Sequence, residues 1–98
     1  MGEIRWTLQA AADLESITEY IAENSPHYAC LFAIDVLSAV EQLTDFPHSG
    51  RIVPELAQAD IRELLFGSYR IIYRVKNEIV EILTIFHGAR LLDPSNLR

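Results

Sequence analysis

The stretch Ile61–Arg90, IRELLFGSYRIIYRVKNEIVEILTIFHGAR, decides the fold. Three runs rich in Ile, Val, Leu, Tyr and Phe are separated by Gly67-Ser68 and by Lys76-Asn77-Glu78. β-branched and aromatic runs bounded by turn residues predict a three-stranded antiparallel meander. Gly67-Ser68 suits a two-residue hairpin turn, because glycine adopts positive φ at no steric cost. That turn sets Phe66 opposite Tyr69, Leu64 opposite Ile71 and Arg62 opposite Tyr73. With Asn77-Glu78 as a second tight turn, Val75 faces Val80, Tyr73 faces Ile82 and Tyr69 faces Phe86.

Side chains alternate across a strand, so this register sorts the residues into two faces. One carries Leu64, Phe66, Tyr69, Ile71, Tyr73, Val75, Val80, Ile82 and Phe86, and is the predicted core. The other carries Ile61, Glu63, Leu65, Arg70, Ile72, Arg74, Glu81, Leu83, Ile85 and His87. A face that mixes charge with apolar residues is a candidate partner surface. A three-residue second loop would instead flip the last strand.

Upstream of the meander, Arg51 to Asp60 reads as an irregular connection. Phe46-Pro47-His48-Ser49-Gly50 is a firm stop for whatever precedes it. What precedes it is helical. Ser25 is placed to cap and Pro26 to open a helix that runs to about Asp45. Ala29, Phe32 or Ala33, Val36, Leu37, Val40 and Leu43 supply its apolar stripe. An earlier helix spans about Leu8 to Glu23, with Ala10, Leu14, Ile17 and Ile21 on one face. Asp13, Glu15, Glu19 and Glu23 fall off that stripe, toward water. The short link at Asn24-Ser25-Pro26 makes the two helices an antiparallel hairpin. Leu14, Ile17, Val36, Leu37 and Val40 are expected between this hairpin and the sheet. Glu3 to Thr7 is a short strand candidate with Trp6 in the core, and Leu91 to Arg98 an extended or frayed tail. The predicted class is α+β: short strand, helix hairpin, then the three-stranded meander.

The 98 residues suit one domain, and half of them are hydrophobic, enough for one core. No apolar run approaches the length of a bilayer span. The start, MGEIRWTLQA, has neither the basic nor the apolar region of a signal peptide. Trp6 stands where a myristoylation motif wants Ser or Thr. A cytoplasmic location is expected. Cys30 is alone in a helical pattern and reads as a buried, reduced thiol. One cysteine and scattered histidines give no metal site, and no cofactor is expected.

The net charge of −6 argues against general affinity for nucleic acid. Its distribution is uneven. Residues 1–60 carry ten acids against Arg5 and Arg51, a balance of −8, whereas residues 61–98 balance at +2. The cations are concentrated in the sheet half. That is either an ordinary set of strand arginines or an anion-binding sheet.

An ordered set of short pieces is similar to the RelE/ParE superfamily of bacterial toxins. It begins with Ala12-Asp13-Leu14, Ile17 and Tyr20-Ile21, then Leu43, Phe46-Pro47, Gly50-Arg51 and Val53-Pro54-Glu55. It is strongest at Ile61-Arg62-Glu63-Leu64, Tyr69-Arg70-Ile71-Ile72-Tyr73 and His87-Gly88-Ala89-Arg90. The whole resembles the ParE branch more than RelE. The resemblance implies a type II toxin–antitoxin system, with a small antitoxin whose C-terminal part wraps the toxin. ParE-like members poison DNA gyrase. RelE-like members cut messenger RNA on the ribosome.

Cleavage by the neighbouring 2′-hydroxyl needs a base, an acid, and cations for the charged transition state. The resemblance gives the cationic work to Arg70 and Arg90. RelE's two lysines match Ile61 and Glu63 here, and its C-terminal tyrosine has no counterpart in Leu91 to Arg98. His87 is the candidate substitute base because imidazole titrates near neutrality; the alternative is a packed residue ending the last strand. Glu55 is a weaker candidate, or else a loop carboxylate. Arg70 and Arg74, flanked by Glu63 and Glu81, form cross-strand ion pairs, anchor antitoxin carboxylates or gyrase, or do both. The expected partner surface is Arg70, Arg74, Ile72, Leu83 and Ile85. Phe66, Tyr69 and Tyr73 point into the core rather than stacking on bases. Gyrase inhibition by binding leads, with the ribosome-dependent nuclease and a degenerate, non-toxic antitoxin-binding module as alternatives.

Overall fold

The computed structural model describes residues 2–88. Strand β1 (Glu3–Trp6) leads into helices α1 (Leu8–Ala22) and α2 (Pro26–Glu41), then a 3-10 turn at Gln42–Thr44. Strands β2 (Arg51–Ile52), β3 (Ile61–Phe66), β4 (Tyr69–Lys76) and β5 (Ile79–His87) follow. They make one five-stranded sheet ordered β1-β5-β4-β3-β2, with β1 parallel to β5 and the other pairs antiparallel. The α+β class and the meander are as the sequence predicts. The two-residue β2 is an addition, found inside the stretch read as irregular. No helix among the described residues is long and apolar enough to cross a membrane.

Local chemistry explains the elements. Thr7 caps α1 by accepting from the Ala10 amide, and Ser25 caps α2 by accepting from Tyr28 with Pro26 in the first turn. Each cap is worth about 1 kcal/mol. Gly67 and Asn77 take positive φ at the two hairpin turns, of 58° and 59°. The β3–β4 register is as read from the turn, Phe66 opposite Tyr69 through Arg62 opposite Tyr73.

The β4–β5 register holds only as far as Tyr73 opposite Ile82. Ile72 then faces Thr84, so Leu83 is an extra residue, a β-bulge. Beyond it the side-chain parity inverts. Tyr69 meets His87, not Phe86; Ile85 turns to the helix side and Phe86 to the far side. The helix N-terminus pins the bulge. Thr7 Oγ1 donates to the carbonyls of Ile82 (2.8 Å) and Leu83 (3.1 Å). Asp13 Oδ2 accepts from Thr84 Oγ1 (2.5 Å) and from the Ile85 amide (3.1 Å). β1 has ended at Trp6, so α1 satisfies the polar backbone that a longer strand would have paired.

Two apolar clusters sit on opposite faces. On the helix side, Ala10, Phe32, Val36, Val40 and Leu43 pack on Ile71, Tyr73, Val80, Ile82 and Ile85, with Trp6, Leu14 and Ile17 partly buried against them. Phe32 meets Phe66 and Tyr69 edge to face at 5.7 and 5.3 Å. On the far side, Val53, Ile61, Ile72 and Leu83 form a smaller cluster flanked by Leu56 and Phe86. The mixed face is therefore not an open surface over its whole length. The chain between β2 and β3 folds back over it. Two further expectations are corrected on the helices: Leu37 is 49 % exposed and Cys30 is exposed. Both lie on the outward side of α2, while Phe32, Val36 and Val40 turn inward.

Candidate functional site

The far face of β3 and β4 carries a chain of four charges. Arg70 Nη1 and Nη2 donate to the two oxygens of Glu55 at 2.7 and 2.8 Å, a bidentate pair. Arg70 Nε donates to Glu63 Oε1 at 2.6 Å. Glu63 Oε2 accepts from Arg51 Nε. The Phe86 ring lies against the guanidinium, 5.2 Å from its carbon, a position the bulge creates. Glu63 is 1 % and Arg70 6 % exposed, so these two charges are out of water, while Arg51 and Glu55 at the ends of the chain reach solvent; the four sum to zero. Hydrogen bonding to Glu55 raises the Arg70 pKa; burial opposes this, and Glu63 adds to the rise. Arg70 is a permanent cation with its donors already committed.

A second knot supports the loop behind this one. Tyr73 is fully buried; its hydroxyl donates to the Pro47 carbonyl (2.9 Å) and accepts from the Gly50 amide (2.9 Å). A Cβ on Gly50 would stand 2.5 Å from the Glu63 carbonyl oxygen and 2.6 Å from the Tyr73 hydroxyl, so only glycine fits. Arg62 Nη1 donates to the Gly50 carbonyl at 2.9 Å. Burial pushes the Tyr73 phenol above its ordinary range. Phe46-Pro47, Gly50-Arg51 and Tyr73 thus form one unit, which delivers Arg51 to Glu63.

The predicted site residues divide. Arg70 and His87 line one cleft of about 560 Å³, together with Arg51, Glu55, Ser68 and Tyr69. His87 also meets the Tyr69 ring edge to face at 5.6 Å. Glu55, read as a loop carboxylate or a base, is Arg70's bidentate partner. Arg90 lies outside the described residues, as does the tail. Of the expected partner surface, Ile72 (0 %), Leu83 (2 %) and Ile85 (2 %) are buried, Ile85 among the helix-side core. They are corrected as direct contacts in the free chain. Arg74 is the exception: its guanidinium reaches Glu81 at 3.4 Å and Asp60 at 4.0 Å, and it keeps surface in water.

The cross-strand ion pairs read from the sequence, Arg70 with Glu63 and Arg74 with Glu81, are both present; sequence reasoning missed that Glu63 also holds Arg51 and that Glu55 grips Arg70. The register explains the first pair: Glu63 pairs with Ile72 and so lies diagonal to Arg70, within reach of a long side chain. No group of three or more His, Cys, Asp or Glu among the described residues is placed to hold a metal.

The sheet order and the helix hairpin form the α+β frame that carries this arginine-centred knot, and comparison with known proteins places that frame among bacterial toxins. Residues 4–92 match the family model described as ParE toxin of the type II toxin–antitoxin system, parDE, and the chain belongs to that family. It is 39 % identical over 92 residues to the Caulobacter vibrioides protein named Toxin RelE2, covering 93 % of this chain and all of that one. A chain of the chromosomal ParDE toxin–antitoxin system from P. aeruginosa superposes with a TM-score of 0.73 at 28 % identity, covering 89 % of this chain and 96 % of that one. The toxin–antitoxin complex RelBE2 from Mycobacterium tuberculosis shares the fold, with a TM-score of 0.50 at 22 % identity over 88 % of this chain and 96 % of that chain.

Proposed function

We propose that this toxin acts by binding DNA gyrase rather than by cutting RNA, and that a cognate antitoxin holds it silent. The observation that carries the reading is the neutralised Arg70. Phosphoryl-transfer chemistry wants cations aimed at the developing charge of the substrate. Here Arg70 spends its donors on Glu55 and Glu63, and both carboxylates would repel a phosphate. The two positions that match RelE's lysines are filled by buried Ile61 and buried Glu63. The acidic balance of the chain also disfavours a grip on ribosomal RNA.

The test induces the toxin without antitoxin and runs two assays on the same cells. Gyrase–DNA cleavage complexes should accumulate on plasmid while abundant transcripts stay intact by primer extension. Codon-phased transcript cuts that vanish in His87→Ala or Arg90→Ala would sink the gyrase reading and establish the nuclease. Normal growth with both assays blank would mark a degenerate toxin that only binds its antitoxin.

A further inference from the structure

Strand β1 ends the sheet, and among the described residues nothing pairs with its outer side. The Glu3 amide donates to the Glu78 carbonyl at 2.8 Å and the Thr7 amide to the Ile82 carbonyl at 3.1 Å, both toward β5. In a parallel ladder alternate residues bond the neighbouring strand, so Arg5 also faces β5, and Ile4 and Trp6 turn their amides and carbonyls to the open edge. Side chains alternate as well. Ile4 and Trp6 pack against the helix-side core, while Glu3 and Arg5 share the far face, exposed and paired at 3.0 Å. Two large apolar side chains flank the same edge. Leu8, 91 % exposed, follows β1; Phe46, 66 % exposed, follows Thr44, whose carbonyl holds the Gly2 amide at 2.9 Å.

An unpaired edge is a template for another strand. The strand that fits this one is β1 itself. Run antiparallel and centred on Ile4, two copies set Ile4 opposite Ile4, Glu3 opposite Arg5, and Trp6 opposite Gly2, which has no side chain to obstruct the indole. The outward amides of Ile4 and Trp6 then meet the carbonyls of Ile4 and Gly2 of the other copy. Neighbouring registers fail on charge. Centred on Arg5, guanidinium meets guanidinium; centred on Glu3, carboxylate meets carboxylate; and like charges directly opposite are destabilising. The net charge of −6 repels one copy from another in general, but β1 carries one acid and one base. The same two-fold axis brings Leu8 of each copy toward Phe46 of the other. We propose that two copies of this chain pair through β1, antiparallel about Ile4, into one continuous sheet. The interface is isologous, so each contact between Glu3 and Arg5 is made twice. This pairing stands apart from the choice of cellular target.

Sedimentation across a concentration series is the test. The parent should pass from monomer to dimer as concentration rises. Over the same range the amides of Ile4 and Trp6 should exchange more slowly with solvent, read by NMR, while those of Glu3 and Arg5 stay as they were. Glu3→Arg and Arg5→Glu change exposed side chains, so both should keep the parental unfolding midpoint. Each should weaken self-association roughly tenfold or more, because each change acts at both symmetric contacts. Mixed in equal amounts, the two variants should associate again, since every cross-strand contact is then between opposite charges. A chain that stays monomeric at NMR concentrations would overturn the proposal. A dimer untouched by either variant would put the interface elsewhere and overturn it, and a mixture that stays monomeric would reject the register centred on Ile4. Protection of Ile4 and Trp6 that appears only with the cognate antitoxin would give the edge to a strand of that partner and overturn it too.

Discussion

Arg70 and Arg74 lie four residues apart on the same face of β4, and their surroundings are opposites. Arg70 is 6 % exposed, gripped by two carboxylates at 2.6 to 2.8 Å, and backed by Phe86. Arg74 holds Glu81 at 3.4 Å and Asp60 at 4.0 Å with part of its side chain in water. Two arginines equivalent by spacing thus do different work. One is an internal cross-link that joins the β2–β3 connection to the sheet. The other is loosely held and can change partners at small cost. The difference comes from elements distant in sequence: the loop at 47–50 that delivers Arg51, the segment at 53–56 that covers the face and carries Glu55, and the bulge that aims Phe86.

The largest expected effect breaks the Arg70 side of that comparison. Glu63→Ala removes the carboxylate between Arg51 and Arg70 and leaves buried Arg70 short of a partner. Removing one partner of a buried ion pair costs about 3–5 kcal/mol. Urea unfolding should show a loss of that size, whereas a midpoint within error of the parent would mean the network is solvated and Arg70 resembles Arg74.

A second prediction concerns the loop behind the knot. Tyr73→Phe abolishes the hydrogen bonds to Gly50 and Pro47 and leaves two backbone groups unmet, at a cost of about 1–3 kcal/mol. The sign of the pH effect follows from linkage. Burial raises the Tyr73 pKa above its ordinary 10.0, so the folded state favours the protonated phenol. Its contribution is complete below the unfolded pKa and falls away as pH rises through the folded one. Stability of the parent should therefore decline more steeply above about pH 10 than that of Tyr73→Phe, in melts taken across the alkaline range.

Much of this was legible in the chain, and the gaps have physical causes. Turn chemistry at Gly67-Ser68 and Asn77-Glu78 gave the meander and its register up to Tyr73 opposite Ile82. The bulge at Leu83 then inverted Ile85 and Phe86. Its trace in the sequence is the apolar spacing of three from Ile82 to Ile85 and from Leu83 to Phe86, which fits neither a regular strand nor a simple alternation. The far face read as open because only tertiary structure reveals that Val53 and Leu56 cover it. Leu37 read as core because α2 is apolar nearly all round, and periodicity alone cannot say which of two apolar faces meets the sheet. A direct check compares Leu43→Ala, fully buried, with Leu37→Ala. The former should cost about 2–5 kcal/mol, and the latter a clearly smaller amount in the same urea titration.

The smallest effect on stability is expected at Arg74. An exposed ion pair contributes about 0.2–1 kcal/mol, and salt screens it further. Arg74→Ala should therefore shift the unfolding midpoint by about that much, and less at high salt. The same change should be felt in the complex. We propose that Arg74, loosely held by Glu81 and Asp60, exchanges them for a carboxylate of the antitoxin; a buried interfacial pair of that kind governs dissociation rather than encounter. In a stopped-flow or surface measurement with the cognate antitoxin, Arg74→Ala should raise the off-rate while the fold stays near parental stability. An unchanged off-rate would remove Arg74 from the partner surface. A loss of stability as large as that of Glu63→Ala would erase the distinction between the two arginines altogether.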